Sequence, residues 1–332
     1  MSHVRRRALA TFGAVIVSAS AGCGLDGSVH HLPAFPSEPV TVDPASFTID
    51  LARSPLLGAA HGILLIGYDV EAMGPDETVE FLAKAAALHR ALHAPATFFP
   101  TGLTLEAQAP TFQALDRDPL FDVETHTYTH ERLKPLLERG PDGVRFYPAA
   151  EPAALTASLM HTASAARSVL GHVNLGMTAP YGAYRGLGDR PDLLAQLHGL
   201  GIRFVRSYSR DADDYQPVPF EVQPFWYAVQ GFPDMLEVPI QGWQDVLWRE
   251  PHGWNDLAGY SRLLDEEIAT TARGNRVWSY CGHDWGSLRA DPDLTLLRHL
   301  IEKARESGVV IATHAAFYEA ALRARSGVHA GG

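Results

Sequence analysis

Short apolar runs alternate with longer segments of helical periodicity between about residues 61 and 323, and this alternation constrains the fold more than any other feature. The runs have the length and composition of buried strands, and several of the helical segments between them end at a glycine. The predicted strands are 62–68, 96–99, 119–124, 202–205, 236–240, 276–281 and 309–312. Strands that alternate with helices predict a parallel sheet covered by helices, so we expect an α/β fold whose sheet could close as a barrel.

No internal repeat or linker interrupts this pattern, so residues 55–325 are predicted to form one domain, followed by a short disordered tail at 326–332. The preceding segment, 24–54, is rich in proline and poor in periodic apolar positions, which predicts an extended tether. The aromatic stretch 220–254 is less regular than the rest of the domain. We interpret it either as a loop insertion over a functional site or as edge strands with core aromatics.

Residues 1–23 are predicted to be an export signal. Three arginines at 5–7 precede an apolar run from Ala8 to Ala19 that is too short to span a bilayer, and small residues then lead to Cys23. This arrangement is similar to a bacterial lipobox, and the arginines are also typical of a twin-arginine signal, so export could follow the Tat or the Sec route. We expect a periplasmic or extracellular protein, anchored at Cys23, that touches the membrane only through its N-terminal signal or lipid.

The charge of the chain limits its partners. The formal net charge is −11, and no cluster of Lys and Arg stands out beyond the first few residues, which argues against nucleic acid. We therefore expect neutral or cationic substrates. The two cysteines are Cys23 and Cys281, and with the first in a processing site no internal disulfide is possible. Cys281 is predicted to be a small buried residue at a strand end rather than a nucleophile.

His126 and His130 form a His-x-x-x-His pair directly after the predicted strand 119–124. We expect the strand to enter a helical turn here, which would place both imidazoles on one face, close enough to share a divalent ion in their neutral form. Functional groups in α/β folds lie at the carboxyl ends of strands, where this pair would emerge. The chain has 16 histidines, so the same spacing could also arise by chance on a solvated helix.

Other polar and aromatic groups stand at predicted strand ends or in loops between them. These are Asp69, Glu71, Pro180, Tyr181, Asp214, His283 and Trp285. Metal-assisted hydrolysis of an amide needs an ion that polarises the carbonyl group, a base that deprotonates water and an acid that protonates the leaving nitrogen. Carboxylates and imidazoles at strand ends can supply each of these groups.

The order of the motifs resembles that of the polysaccharide deacetylases of the NodB-homology family, a carbohydrate esterase type, over about residues 60–315. The most specific match is the run His126-Thr-Tyr-Thr-His130. The first acidic motif has the spaced form Asp69-Val-Glu71, and the run Pro180-Tyr181-Gly182 keeps part of the third motif. The resemblance implies a distorted (β/α)7–8 barrel, a divalent ion and the removal of acetyl groups, as amide or ester, from a carbohydrate.

The resemblance also implies a role for each site residue. The implied metal ligands are Glu71, His126 and His130. The implied catalytic groups are Asp69 as base, His283 as acid and Tyr181, whose backbone N–H would help to hold the oxyanion. The implied substrate-binding residues are Pro180, Asp214 and Trp285. Asp69 and Glu71 could exchange roles, and two imidazoles with one carboxylate suit zinc first, with cobalt, nickel and iron as alternatives.

Two departures from the family pattern leave alternatives open. Thr178 stands where the family has an arginine that orients the base, so either Arg185 from the same loop replaces it or the base is held otherwise. Tyr215 stands where the family has tryptophan. The alternative functions are an allantoinase-like hydrolase of small cyclic amides and a glycan-binding module that has lost catalysis. His314, after the last predicted strand, is either a support for the site or a satisfied core histidine.

Overall fold

Strands and helices alternate along most of the chain in the computed structural model, which describes residues 41–44, 61–72, 74–140, 143–211 and 217–329. The strands are β1 (Ile63–Val70), β2 (Ala96–Pro100), β3 (Phe121–Val123), β4 (Leu136–Gly140), β5 (Gly143–Tyr147), β6 (Gly176–Tyr184), β7 (Phe204–Arg210), β8 (Phe225–Trp226), β9 (Leu236–Glu237), β10 (Val277–His283) and β11 (Val310–Ala312). The helices are α1 (Pro75–Leu92), α2 (Gly102–Ala107), α3 (Ala109–Asp116), α4 (Pro152–Val169), α5 (Pro191–Leu200), α6 (Asp245–His252), α7 (Leu257–Arg273), α8 (Asp284–Leu288), α9 (Thr295–Glu306) and α10 (His314–His329). All described residues belong to one compact unit, Phe35–Gly332.

The helices begin where the local sequence favours a start. Helices α1, α4 and α5 each have a proline in the first turn, where its missing N–H costs no hydrogen bond and its fixed φ suits the helix. Helix α1 also carries Asp76 and Glu77 in its first turn, next to the positive end of the helix dipole. Helix α5 ends at Gly201, which adopts φ 102°.

Apart from the two-stranded sheet of β4 and β5, the described strands form two larger sheets that meet at one bridge. In the first sheet, β1 pairs in parallel with β10, β11 and β2, and β3 pairs with β2. In the second, β6, β7 and β9 are parallel and β8 is antiparallel to β9. A parallel bridge between Thr125 and Met177 joins the end of β3 to β6. This arrangement confirms the predicted α/β fold of the distorted barrel type, although the described strands do not form a closed ring.

Two glutamines beside β8 and β9 of the second sheet form hydrogen bonds with β10 of the first. The Gln223 side chain donates to the Val277 carbonyl at 3.1 Å and accepts from the Val277 N–H at 2.8 Å. The Gln241 side chain accepts from the Ser279 N–H at 3.0 Å, and the Trp278 indole donates to the Gln241 carbonyl at 3.1 Å. We call these contacts the glutamine seam; they join the segment around β9 to β10 through side chains.

The alternation of side chains along β1 decides what enters the barrel. Leu64 and Ile66 pack in the cluster beneath the outer helices, whereas Ile63 and Leu65 pack with Phe99 and Phe204 in the inner cluster. Since side chains alternate between the two faces of a strand, Asp69 has the same orientation as Ile63 and Leu65. The carboxylate at the end of β1 is therefore directed to the barrel interior.

Several regions differ from the pattern read from the sequence, among them β6, which is not one of the predicted strands. The antiparallel hairpin of β4 and β5 was not predicted, because its exposed strands carry little apolar periodicity. The aromatic stretch 220–254 contains both structures that were considered: β8 and β9 bury core aromatics, while α6 and the residues after it form an irregular cover. Within the predicted tether, Thr41 pairs with Phe225 and Val42 is buried.

The remaining predictions on the termini fall largely outside the described residues. These include the export signal at 1–23 with Cys23, the rest of the tether at 24–54, and the last residues of the tail at 326–332. Helix α10 extends to His329, so the described part of the tail is helical. Among the helices that the structure describes, none combines the length and the apolar character needed to cross a membrane.

Candidate active site

Glu71, His126 and His130 bring one oxygen and two nitrogen donors together beyond the carboxyl end of β1. Glu71 Oε1 lies 3.0 Å from His130 Nε2 and 3.9 Å from His126 Nε2. The three ligand atoms lie within 4.8 Å of one another. Two imidazoles and a carboxylate are a donor set that suits zinc and related divalent ions. The structure thus brings together the three metal ligands named from the sequence.

His126 has the protonation state that a metal ligand needs. Its Nδ1 lies 2.8 Å from the Thr178 carbonyl oxygen, which can only accept, so Nδ1 carries the proton and Nε2 has the free lone pair. His126 Nε2 is buried and has no hydrogen-bond partner among the described residues. Burial, with a smaller effect from His130, lowers the pKa of His126 to about 4, so the ring is neutral at pH 7. An unpartnered, neutral and buried nitrogen fits a bound cation.

The histidine pair lies on irregular backbone, so the helical turn expected from its spacing is wrong. The chain after β3 makes the Thr125 bridge and then has no helix before β4, and His130 adopts φ 72°. The loop is held by backbone hydrogen bonds from the first residues of α2, including Gly102 N–H to the Thr127 carbonyl at 3.1 Å. The imidazole rings nevertheless come within 4.9 Å of each other between centroids.

Glu71 is oriented by the first residues of α8. The Trp285 indole N–H donates to Glu71 Oε2 at 3.0 Å, which leaves Oε1 directed at the histidines. Asp284 is buried and accepts from the backbone N–H groups of Glu71 and Ala72 at 3.1 and 3.2 Å. Burial by itself would raise the pKa of Glu71, but the hydrogen bond with His130 and the nearby imidazoles lower it overall, so the carboxylate is ionised. Trp285, which the sequence predicts to contact a sugar, therefore also positions the candidate metal ligand Glu71.

Asp69 is held by Arg206, a residue that the sequence patterns did not identify. The Arg206 guanidinium is fully buried, and its Nη1 donates to Asp69 Oδ1 at 2.6 Å and to Thr178 Oγ1 at 3.1 Å. Its Nε donates to Ser279 Oγ at 3.2 Å. Burial raises the pKa of Asp69, but the charge of Arg206, with that of His283, lowers it below its ordinary value. Asp69 is thus a carboxylate that can accept a proton.

Arg206, the cation beside Asp69, lies on the strand next to the one that carries Thr178, the position at which the family has its arginine. Thr178 on β6 and Arg206 on β7 are register partners in the parallel pairing of these strands. A side chain from either position reaches the same part of the barrel interior, and Gly67 leaves room for the guanidinium, since a Cβ there would lie 3.1 Å from Arg206 Cζ. Arg185, considered above as a replacement, instead has its guanidinium over the Tyr184 ring.

His283 is paired with Asp245, the first residue of α6. Its Nδ1 lies 2.6 Å from Asp245 Oδ1, and its backbone N–H donates to Asp245 Oδ2 at 2.9 Å. Burial lowers the pKa of His283, but buried Asp245 outweighs this effect and raises it to about 10. His283 Nε2 lies 3.9 Å from Glu71 Oε1, so a protonated imidazole faces the candidate metal ligands. Asp245 belongs to none of the motifs identified in the sequence. Asp214, which was predicted to bind substrate, lies outside the described residues.

Comparisons with known proteins agree with this geometry. Residues 69–203 match the family model for polysaccharide deacetylase, a range that includes Asp69, the three candidate ligands and Tyr181. The match covers part of the chain and supports the polysaccharide deacetylase family. No curated protein matches the chain. The range stops before His283, so the role expected of His283 rests on the geometry above.

Solved structures share the fold of this domain at low sequence identity. A protein from Mycobacterium smegmatis assigned to the polysaccharide deacetylases has a TM-score of 0.60 and 17% identity, covering 88% of this chain and 95% of its own. One from Pseudomonas aeruginosa PAO1 with the same assignment has a TM-score of 0.59 and 12% identity, covering 81% and 94%. Puue allantoinase has a TM-score of 0.58 and 12% identity, covering 80% and 92%. At such identities these matches support the fold.

Tyr181 projects from an irregularity in β6 beside the candidate metal ligands. The pairing of β6 with β7 shifts between Thr178 and Ala183, and Tyr181 and Gly182 adopt φ 61° and 59°. The Tyr181 carbonyl accepts from Arg210 Nε at 2.9 Å, which fixes this peptide. Its ring is 48% exposed and lies 4.9 Å from the His130 ring. Pro180 is buried, so it shapes the bulge rather than offering surface to a substrate.

Two further residues named from the sequence are buried supports. Cys281 is buried with its Sγ 3.6 Å from Asp69 Oδ2, and burial raises the pKa of its thiol well above the ordinary value, which fits the prediction that it is no nucleophile. His314 is fully buried, with its ring nitrogens 3.0 Å from Thr97 Oγ1 and Ser279 Oγ. His314 therefore packs behind Arg206, through the shared Ser279 hydroxyl.

Proposed function

We propose that this protein is a metal-dependent hydrolase that removes acetyl groups, as amide or ester, from a carbohydrate. The observation that carries the proposal is the convergence of three candidate metal ligands with an ionised carboxylate and a protonated imidazole. Arg206 holds Asp69 and also contacts Thr178, whose carbonyl oxygen accepts from the candidate ligand His126. His283 Nε2 lies 3.9 Å from the candidate ligand Glu71. The family match supports hydrolysis of carbohydrate acetyl groups as the class of activity.

The donors fit a divalent ion held by Glu71, His126 and His130. His126 is neutral and offers Nε2, while Glu71 is ionised and fixed by the Trp285 indole. An ion bound there would supply Lewis acidity to the acetyl carbonyl group. Zinc is the first candidate for this donor set, with cobalt, nickel and iron as alternatives.

Asp69 and His283 supply the proton transfers of the proposed reaction. Asp69, which Arg206 keeps ionised, takes a proton from the attacking water while the water oxygen bonds to the acetyl carbon. His283, kept protonated by Asp245, gives its Nε2 proton to the leaving sugar nitrogen or oxygen as the acyl bond breaks. The Tyr181 backbone N–H is the proposed donor to the oxyanion. The products are acetate and the deacetylated sugar.

The exposed surface beside these groups suits a sugar. The Trp285 ring lies 5.7 Å from the His283 ring, and the half-exposed Tyr181 ring lies next to His130. Aromatic faces flanking a site are typical of carbohydrate recognition, because the apolar face of a sugar packs on them. These residues would place an acetylated sugar between the proposed acid and the candidate metal ligands.

The proposal is tested by metal analysis of the purified domain together with acetate release from a panel of N- and O-acetylated oligosaccharides. We expect about one ion per chain and acetate release that disappears on chelation and returns with metal. Hydrolysis of small cyclic amides without acetate release would instead favour the allantoinase-like reading. Oligosaccharide binding by the metal-loaded protein with no hydrolysis would favour a binding module.

We also propose that the protein is exported to the periplasm or the cell exterior and tethered to the membrane through Cys23. The support is the arrangement of arginines, apolar run and small residues that precede this cysteine. Metabolic labelling with a radioactive fatty acid should mark the wild-type protein but not Cys23→Ala. Equal labelling of both proteins would overturn the anchor, and retention of the protein in the cytoplasm would overturn export.

A further inference from the structure

Arg289 lies on an aromatic wall next to the proposed acid. Its guanidinium carbon is 4.5 Å from the centroid of the Trp254 ring and 5.2 Å from that of Trp285. Trp285 in turn donates to Glu71 and lies 5.7 Å from the His283 ring. One aromatic side chain therefore separates this exposed cation from both the candidate ligand and the acid.

Arg132 has a similar position on the side of the histidine pair. Its guanidinium carbon is 5.6 Å from the centroid of the Tyr181 ring and 5.4 Å from that of Tyr147. The Tyr181 ring lies 4.9 Å from the ring of the candidate ligand His130. The candidate site is thus flanked by two arginines, each stacked on two aromatic rings.

Neither guanidinium is neutralised by a carboxylate of the residues that the structure describes. Arg132 donates from Nε to the Pro148 carbonyl, and the contacts of the Arg289 guanidinium are with aromatic rings. Other arginines at the surface pair with acids, as Arg90 does with Asp118. A stacked guanidinium is held in one orientation with its N–H edge open, which is the geometry that binds carboxylate.

We propose that Arg132 and Arg289 select acetylated glycans that carry carboxylate groups, such as uronic acids or sugars with a carboxylate ether. This substrate class rests on the proposed function and deepens it. It differs from the neutral or cationic substrates expected from the net charge, because that charge is summed over the whole chain while recognition depends on the residues beside the site. The cations stand on both sides of the centre, so a glycan crossing it would pass each of them.

The test compares substrates that differ only in charge. An N-acetylglucosamine–N-acetylmuramic acid tetrasaccharide would be assayed with its carboxylates free and with them converted to primary amides, and an O-acetylated uronic acid oligosaccharide would be treated in the same way. For at least one pair, we expect kcat/KM to be about tenfold higher for the acidic form at low salt. The preference should shrink at about 1 M salt, where the screening length is about 3 Å.

Variants separate local recognition from net charge. Arg289→Gln and Arg132→Gln should each lower the acidic-to-amidated ratio several-fold, and Arg289→Lys should recover part of it. Arg298→Gln is the matched control, because it removes one exposed positive charge that is paired with Glu302 on α9, away from the aromatic walls. The control should leave the ratio unchanged.

Two readouts keep this inference apart from the proposed function. Hydrolysis of 4-nitrophenyl acetate, a small neutral ester without a carboxylate, reports the catalytic groups, and each glycan rate is divided by the ester rate of the same variant. If the metal-loaded protein hydrolyses neither ester nor glycan, calorimetric binding of each acidic and amidated pair still decides the selection. Equal kcat/KM or equal affinity for both members of each pair at low salt would overturn the inference, as would an effect of Arg298→Gln as large as that of Arg289→Gln.

Discussion

Exchanging Thr178 and Arg206 tests whether the buried cation acts by its position or by the strand that carries it. The two residues are register partners on β6 and β7, and Arg206 Nη1 already contacts the Thr178 hydroxyl at 3.1 Å. The double variant Thr178→Arg/Arg206→Thr would place the guanidinium on β6, where the family pattern has it. We expect the exchange to restore much of the activity that Arg206→Thr alone removes.

The size of the single-variant effect follows from the contacts of Arg206. Its bond to Asp69 at 2.6 Å involves two charged groups, and such hydrogen bonds contribute about 1.5–3 kcal/mol. Since about 1.4 kcal/mol corresponds to tenfold in rate, Arg206→Thr should lower kcat/KM by about 10- to 150-fold. Removing one partner of a buried ion pair also costs about 3–5 kcal/mol of folding stability, so thermal unfolding must be measured beside activity.

The pH profile distinguishes a role in catalysis from a loss of stability. Without Arg206, burial would raise the pKa of Asp69, so the acid limb of kcat/KM should move to higher pH in Arg206→Thr and return in the double variant. Arg203→Thr, a change just before the amino end of β7, should leave that limb in place. An unshifted acid limb in folded Arg206→Thr, or a double variant no better than the single one, would refute the reasoning.

Three further predictions concern other buried groups. His126→Ala should lose bound metal and acetate release together, and a metal-free variant with full activity would contradict the assigned ligand. Asp245→Asn should lower the pKa of His283 from about 10, so the alkaline limb of kcat/KM should move to lower pH while the acid limb stays; an unmoved alkaline limb would remove His283 as the acid. Burial raises the pKa of Glu267 from 4.5 to about 8, so the folded state binds a proton that the unfolded state has released, and this contribution to stability should fall as pH rises from about 4.5 to 8. Urea denaturation at pH 5 and pH 8 should show a smaller difference for Glu267→Gln than for the wild type, and an equal difference would mean that Glu267 is ionised when folded.

The parts of the site that could be predicted from the sequence are those whose positions follow from strand ends. Asp69 lies at the end of β1, Glu71 directly follows that strand and His283 ends β10. The two strands pair in parallel with Asp69 beside His283. Apolar runs mark such strands in the sequence, so the convergence of their last residues follows from the fold class. His126 and His130 were found by spacing, although a loop rather than a helix brings them together.

Arg206 and Asp245 could not be predicted from the sequence. Their roles come from contacts with residues far away in the chain, and no local sequence pattern marks them. Arg206 lies 137 residues from the carboxylate it holds, and it directly follows the predicted strand 202–205 without belonging to any recognisable motif. Asp245 lies 38 residues before His283, in an irregular stretch whose aromatic residues dominated the pattern. Arg206 is the cross-strand neighbour of Thr178, the position at which the family has arginine, but this relation depends on the register of β6 and β7.

The glutamine seam has a consequence for how the barrel opens. At Val277 and Ser279, amides of β10 are protected from solvent by rotatable glutamine side chains, whereas those that face β1 belong to a continuous backbone ladder. A side chain can leave its partner without any strand moving, so these amides should exchange with deuterium through local fluctuations, well before global unfolding. The strand that carries His283 is therefore held by backbone hydrogen bonds along one edge and by side-chain hydrogen bonds along the other. We expect water to enter this barrel first along the side-chain edge.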